Sequence, residues 1–174
     1  MSPQLLFQIH LVLGYVACLL CLGTYVLPRL KAMNRVEAQR IIATVHSFRF
    51  FGLVFILPGV VGPNLPVGFA TFAAYGDLAT GVLAILALLT VRVRALFWPL
   101  VVAFNLVGAA DILIDYYRAV QSDLPALAGQ LGATYAIPVI YVPVLMITHV
   151  IAFYLLLRPQ PTVTPILAGD AAVA

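Results

Sequence analysis

The chain predicts an all-α integral membrane protein, a five-transmembrane-helix bundle with its N-terminus outside and its C-terminus cytoplasmic. Three observations carry that prediction. Of 174 residues, 64% are hydrophobic and 9% charged, and the mean hydropathy is +1.11; an ordinary soluble domain is about 45–50% apolar and about 25% charged. The apolar residues fall into five runs of the length that crosses a bilayer, about 20 residues. The basic residues collect in the short segments between runs, as the positive-inside rule requires. Helices are the expected elements, because lipid leaves an open sheet edge unsatisfied.

The first run, residues 4–28, has no basic leader and exceeds the apolar core of a signal peptide, so it reads as a retained span. "RLKAMNRVEAQR", residues 29–40, follows as an amphipathic turn or short helix with Arg29, Lys31, Arg35 and Arg40. The second span is 41–61, closed by the uncharged Pro/Gly turn "GPNLP". The third, 67–91, ends at the basic "RVR" of 92–94. The fourth, 95–117, leads into the mixed "RAVQSDLPALAGQ", and the fifth covers 131–157. Residues 1–158 thus form one membrane domain, and 159–174 are expected as a Pro/Thr/Ala-rich cytoplasmic tail.

Seven basic residues (Arg29, Lys31, Arg35, Arg40, Arg92, Arg94 and Arg158) fall on one side of this topology, and Arg118 alone on the other. The seven are expected to face the cytoplasm, which gives a multi-pass protein of a bacterial-type inner membrane. Because the topology accounts for the net charge of +3, the composition carries no nucleic-acid footprint. The expected partners are the lipid bilayer, a small hydrophobic ligand, and further copies or a partner membrane subunit.

Each span carries small or polar residues at steps of three and four, which share one helical face. The sets are His10, Gly14, Cys18, Cys21 and Tyr25; His46, Arg49, Gly52, Ile56 and Gly59; Ala74, Asp77, Gly81 and Ala84; Asn105, Gly108, Asp111 and Asp115; and Tyr135, Pro138, Val142, Leu145 and His149. Small residues permit close helix approach, so a packing seam explains the glycines and alanines. The charged members need more, since a charge at mid-bilayer costs about 2.5–3.5 kcal/mol on insertion scales. A rise of about 1.5 Å per residue puts His46 and His149 at similar depth in the cytoplasmic half, with Arg49 one turn deeper. The expectation is an inner site of His46, Arg49 and His149, with Tyr25 and Thr148 nearby. An outer site would hold His10, Asp77, Asp111 and Asp115, with Asn105, Tyr75 and Tyr141. Asp77 lies near enough to mid-membrane to reach Arg49 as an ion pair.

Two histidines at equal depth are also how membrane haem b is held, so His46 and His149 are the metal-ligand candidates, with Arg49 for a propionate. The alternative is that each imidazole simply bonds a carbonyl or hydroxyl. Cys18 and Cys21 form an unaccompanied Cys-x-x-Cys inside a span, which reads as core packing before redox chemistry. No phosphate loop, zinc-hydrolase or nucleophile-elbow motif is present. The leading functional expectation is binding of a small hydrophobic or amphipathic ligand, or a porphyrin, inside the bundle. A proton- or cation-coupled transporter using the intramembrane Asp and His residues is the second. A structural subunit of a larger membrane complex is the third.

Overall fold

The structure is a computed structural model that describes residues 1–159; beyond Pro159 the expected tail lies outside the described residues. Among those residues it is all helical, with no strand. Helix α1 (Pro3–Cys21) runs through a π-turn (Leu22–Val26) into α2 (Leu27–Ala32). Helix α3 (Arg35–Ser47) continues as a 3₁₀ helix (Phe48–Ile56). Helices α4 (Val67–Leu89) and α5 (Arg94–Gln121) follow, then a 3₁₀ segment (Ala128–Tyr135), a second π-turn (Ile137–Tyr141) and α6 (Val142–Leu157). Four stretches are long and apolar enough to cross a membrane: Pro3–Ala32, Val67–Leu89, Arg94–Gln121 and Ile137–Leu157. The fifth expected span is the α3–3₁₀ segment, which is neither continuously α-helical nor uniformly apolar.

Local chemistry sets the boundaries. Ser2 caps α1, accepting from the Leu5 amide at 3.2 Å, and Pro3 opens the helix where no amide is needed. Asn34 caps α3, accepting from the Glu37 amide at 2.9 Å, so the basic segment expected over 29–40 breaks at Met33–Asn34 instead of forming one unit. Pro28 and Pro138 cannot donate to the preceding turn, and each stands at a π-turn, where the helix rewinds to re-satisfy its carbonyls. Gly59, at φ +82°, reverses the chain after the 3₁₀ helix. That loop is tied to the segment before α6, since the Gly62 amide donates to the Gln130 carbonyl at 2.7 Å and the Asn64 amide to its side chain at 3.2 Å.

Helix α4 is central. It packs on α5 and on the 3₁₀ helix, and its buried positions are mostly Ala, Gly and Thr, which bring the backbones close. One apolar core joins Leu30, Ile42, Phe97, Val101, Phe104 and Leu155 at the end that carries Lys31, Arg35 and Arg158. There the Arg158 guanidinium donates to the Lys31 carbonyl at 3.2 Å, and Arg35 donates to the Arg158 carbonyl. A second core, with Phe7, Phe55, Phe69, Leu124, Leu131 and Ile137, fills the end of the Gly62–Gln130 tie. Helix α1 lies on the outside of the bundle, against α6 and its π-turn, and only Phe7 of its residues is buried.

The 3₁₀ helix departs from the expected stripe. With three residues per turn, Arg49, Gly52 and Phe55 share the buried face. Ile56, placed there by α-helical spacing, is 39% exposed while Phe55 is 4% exposed.

Gly14 sets how closely α1 can dock, because a Cβ there would overlap the Val139 carbonyl, whereas one at Gly23 would meet nothing within 4 Å. Gly14→Ala is expected to lower stability by about 1–3 kcal/mol, as overpacking does. Gly23→Ala should stay within about 0.5 kcal/mol of the parent. Unfolding of the two variants in detergent checks the contrast.

Candidate functional site

Arg49 is 1% exposed and is held by three other elements. Its Nε donates to Asp77 Oδ1 of α4 at 2.6 Å. Its Nη2 donates to Asp111 Oδ2 of α5 at 2.5 Å. Its Nη1 lies 3.2 Å from the Gly108 carbonyl and 3.3 Å from His149 Nε2 of α6. Asp77, Asp111, His149 and Asn105 are 6%, 4%, 0% and 0% exposed. A buried cation of this kind persists only when it is paired and hydrogen-bonded, and here two carboxylates, a carbonyl and an imidazole engage four of its five N–H donors.

The neighbouring bonds assign the imidazole protons. Asn105 spends its amide N–H on the Val101 carbonyl at 2.8 Å, so its oxygen accepts from His149 Nδ1 at 2.9 Å. His149 Nε2 is then the acceptor that faces Arg49. On His46 the order is reversed. The Thr148 hydroxyl donates to the Val144 carbonyl at 2.8 Å, so it accepts from His46 Nε2 at 3.0 Å. His46 Nδ1 is left buried without a partner among the described residues. The two rings stack, with centroids 4.0 Å apart and planes 34° apart.

Room for these side chains comes from glycines. A Cβ on Gly52 would overlap the Asp77 carboxylate, and one on Gly76 would overlap Asp111. A Cβ on Gly108 would sit 2.6 Å from both Arg49 Nη1 and Thr80 Cγ2. The three glycines lie on three different elements around one ionic cluster.

The expected inner and outer sites are therefore distributed differently. Arg49, Asp77, Asn105, Asp111, His46 and His149 meet in one cluster, which merges members of both sites. His10 does not join it; it is exposed and bonds the Tyr135 hydroxyl at 2.8 Å. Tyr25 and Tyr75, 61% and 57% exposed, point away from the bundle interior. Tyr141 donates to the Val45 carbonyl at 3.4 Å. Haem ligation between His46 and His149 does not fit. Imidazole nitrogens bind metals at about 2 Å, so opposed ligands would hold their ring centres about 6 Å apart, whereas these rings are in stacking contact. Among the described residues, no three His, Cys, Asp or Glu side chains converge as a metal site. Cys18 and Cys21 are both free.

Next to the cluster is a cavity of about 110 Å³. Arg49, Asp77 and Asp115 form its polar end. Its walls are Phe7 and Leu11 of α1, Phe55 of the 3₁₀ helix, Phe69 and Ala73 of α4, Ile112, Tyr116 and Ala119 of α5, and Ile137, Pro138 and Val142. Phe55 was invisible at α-helical spacing, and Phe7 and Tyr116 stand outside the polar stripes. Tyr116 bonds Tyr15 at 2.5 Å, hydroxyl to hydroxyl, which closes the cavity wall between α1 and α5.

Because Arg49 serves two carboxylates, removing it strands both. Arg49→Leu is expected to cost about 3–5 kcal/mol, the usual penalty for leaving a buried charge unpaired. Adding Asp77→Asn should recover part of that loss, and adding Asp111→Asn as well should recover more. Unfolding of the single, double and triple variants in detergent tests the order.

No curated protein and no solved structure matches the chain. A family model does, over residues 6–157, which takes in every element that builds the cluster and the cavity. The chain belongs to that family, described as Domain of unknown function (DUF8737).

Proposed function

We propose that the protein is a five-span membrane protein that binds a small amphipathic molecule in the cavity beside Arg49. The observation that carries this reading is the cavity's division of labour. Its walls are apolar side chains from six elements, and its one polar end is an ionic group fixed before any ligand arrives. Small-molecule sites have this composition, an apolar lining with a few fixed polar groups. An apolar cavity of about 150 Å³ is enough to take up benzene, so 110 Å³ suits a short alkyl chain or a small ring.

The fifth crossing in this reading is the α3–3₁₀ segment. Thirteen α-helical residues at about 1.5 Å and nine 3₁₀ residues at about 2.0 Å reach roughly 38 Å, longer than the hydrocarbon core of about 30 Å. With Lys31, Arg35 and Arg158 gathered at one end, that end faces the cytoplasm of a bacterial-type inner membrane, and the N-terminus lies outside. Binding is favoured over proton-coupled transport by the cytoplasmic half. Ile42, Phe97, Val101 and Phe104 are each 0–1% exposed there and pack an apolar core between His46 and the basic end.

1-Hexanol is expected to raise the melting temperature of the purified protein, and Ala119→Phe, which fills the cavity from its edge, should abolish the rise without lowering the basal value. An equal rise in both proteins would reject the cavity as the binding site. For orientation, Asn64→Cys and Val93→Cys in a background lacking Cys18 and Cys21 should label oppositely. A membrane-impermeant thiol reagent on intact cells should reach position 64 and spare position 93.

A further inference from the structure

We infer that the molecule taken up by this cavity carries a cationic, hydrogen-bond-donating head, an alkylammonium in its simplest form, which docks on Asp115 and Asp77. The inference rests on the cavity reading above and narrows it to a chemical class. It follows from a census of donors and acceptors at the polar end.

Most of the donors there are already engaged. Arg49 spends Nε on Asp77, Nη2 on Asp111, and Nη1 on the Gly108 carbonyl and His149. The Tyr116 hydroxyl is paired with that of Tyr15. The acceptors are in surplus. Asp115 takes no hydrogen bond from any described residue, and its Oδ1 is buried. Asp77, 6% exposed and lining the cavity, uses Oδ1 for Arg49, while its Oδ2 accepts from none of the described residues. Behind them Asp111 Oδ1 is also buried and has no partner among the described residues.

Charge points the same way. Three acidic side chains stand around one guanidinium. The next cation along α5, Arg118, is turned outward to the Gly68 carbonyl at 3.4 Å and over the Phe72 ring at 4.4 Å. A ligand carboxylate would bring a further acid to three acidic side chains and meet a guanidinium already engaged by two of them. An ammonium brings three donors to a site with spare carboxylate oxygens, and charge-assisted bonds of this kind are the stronger ones. Its alkyl chain would lie along Phe7, Leu11, Phe55, Phe69 and Ile112.

The test compares hexylamine, 1-hexanol and hexanoate at neutral pH on the purified full chain in detergent, with affinities from calorimetric titration. Hexylammonium is expected to bind about ten-fold more tightly than hexanol, with hexanoate weakest, the size of one hydrogen bond to a charged group. Asp115→Asn should erase most of that advantage, while Asp115→Glu should keep it. Since Asp115 makes no hydrogen bond with a described residue, both variants should melt like the parent; should Asp115→Asn fail to fold, Asp115→Ser takes its place. Hexanoate binding as tightly as hexylammonium would overturn the inference and leave the cavity reading standing, as would an advantage that survives Asp115→Asn. Failure of all three probes to bind would remove the cavity reading itself, and this inference with it.

Discussion

A guanidinium withdrawn from water, and the need to meet each of its nitrogens, organises this bundle. Arg49 stands on a helix whose other residues suit lipid, and its charge is tolerable only beside Asp77 and Asp111. Those two come from α4 and α5, and the imidazole that takes the remaining edge comes from α6. One side chain therefore fixes the mutual register of four elements. The 3₁₀ winding of 48–56 belongs to the same arrangement. It stretches the backbone and puts Arg49, Gly52 and Phe55 in line, so that the ionic group and the aromatic wall of the cavity share one face.

The cavity is a by-product of that arrangement as much as of its own lining. The ionic cluster is rigid and cannot collapse into the space beside it, and the π-turn at 137–141 holds Ile137 and Pro138 against α1 instead of letting α6 continue straight. Helix α1 covers the remaining side through Phe7 and Leu11 and is otherwise peripheral, fastened by the Tyr15–Tyr116 pair and by the close approach of Gly14 to Val139.

Composition and hydropathy were sufficient for the all-helical, membrane-suited class, because the apolar runs are long and uninterrupted. On α4 and α5 the α-helical period also found the buried face, with Ala74, Asp77, Gly81 and Ala84, and Asn105, Gly108 and Asp111, all buried. It failed over 48–56, where the true period is three, and there it exchanged Phe55 for Ile56. Depth counted along the helices separated Asp77 and Asp111 from His149, because the reach of the Arg49 side chain, which bonds all three, is not visible in a residue count. The stacking of His46 on His149 is set by the Thr148 and Asn105 bonds, which no spacing encodes. Asp115 stood out as an acid, but its lack of a partner emerges only from the packed structure.

The glycines at 52, 76 and 108 carry a consequence for how such a chain can change over time. At each of them a single added carbon would intrude on a charged side chain of the cluster. Alanine at position 76 becomes sterically open only once Asp111 has been replaced by something smaller, and alanine at 52 only once Asp77 has. Conversely, a chain that acquired alanine first would bar the carboxylate from returning. Substitutions at these paired positions are thus ordered in time, and a lineage that left the ionic state by way of the glycines would find its way back sterically closed.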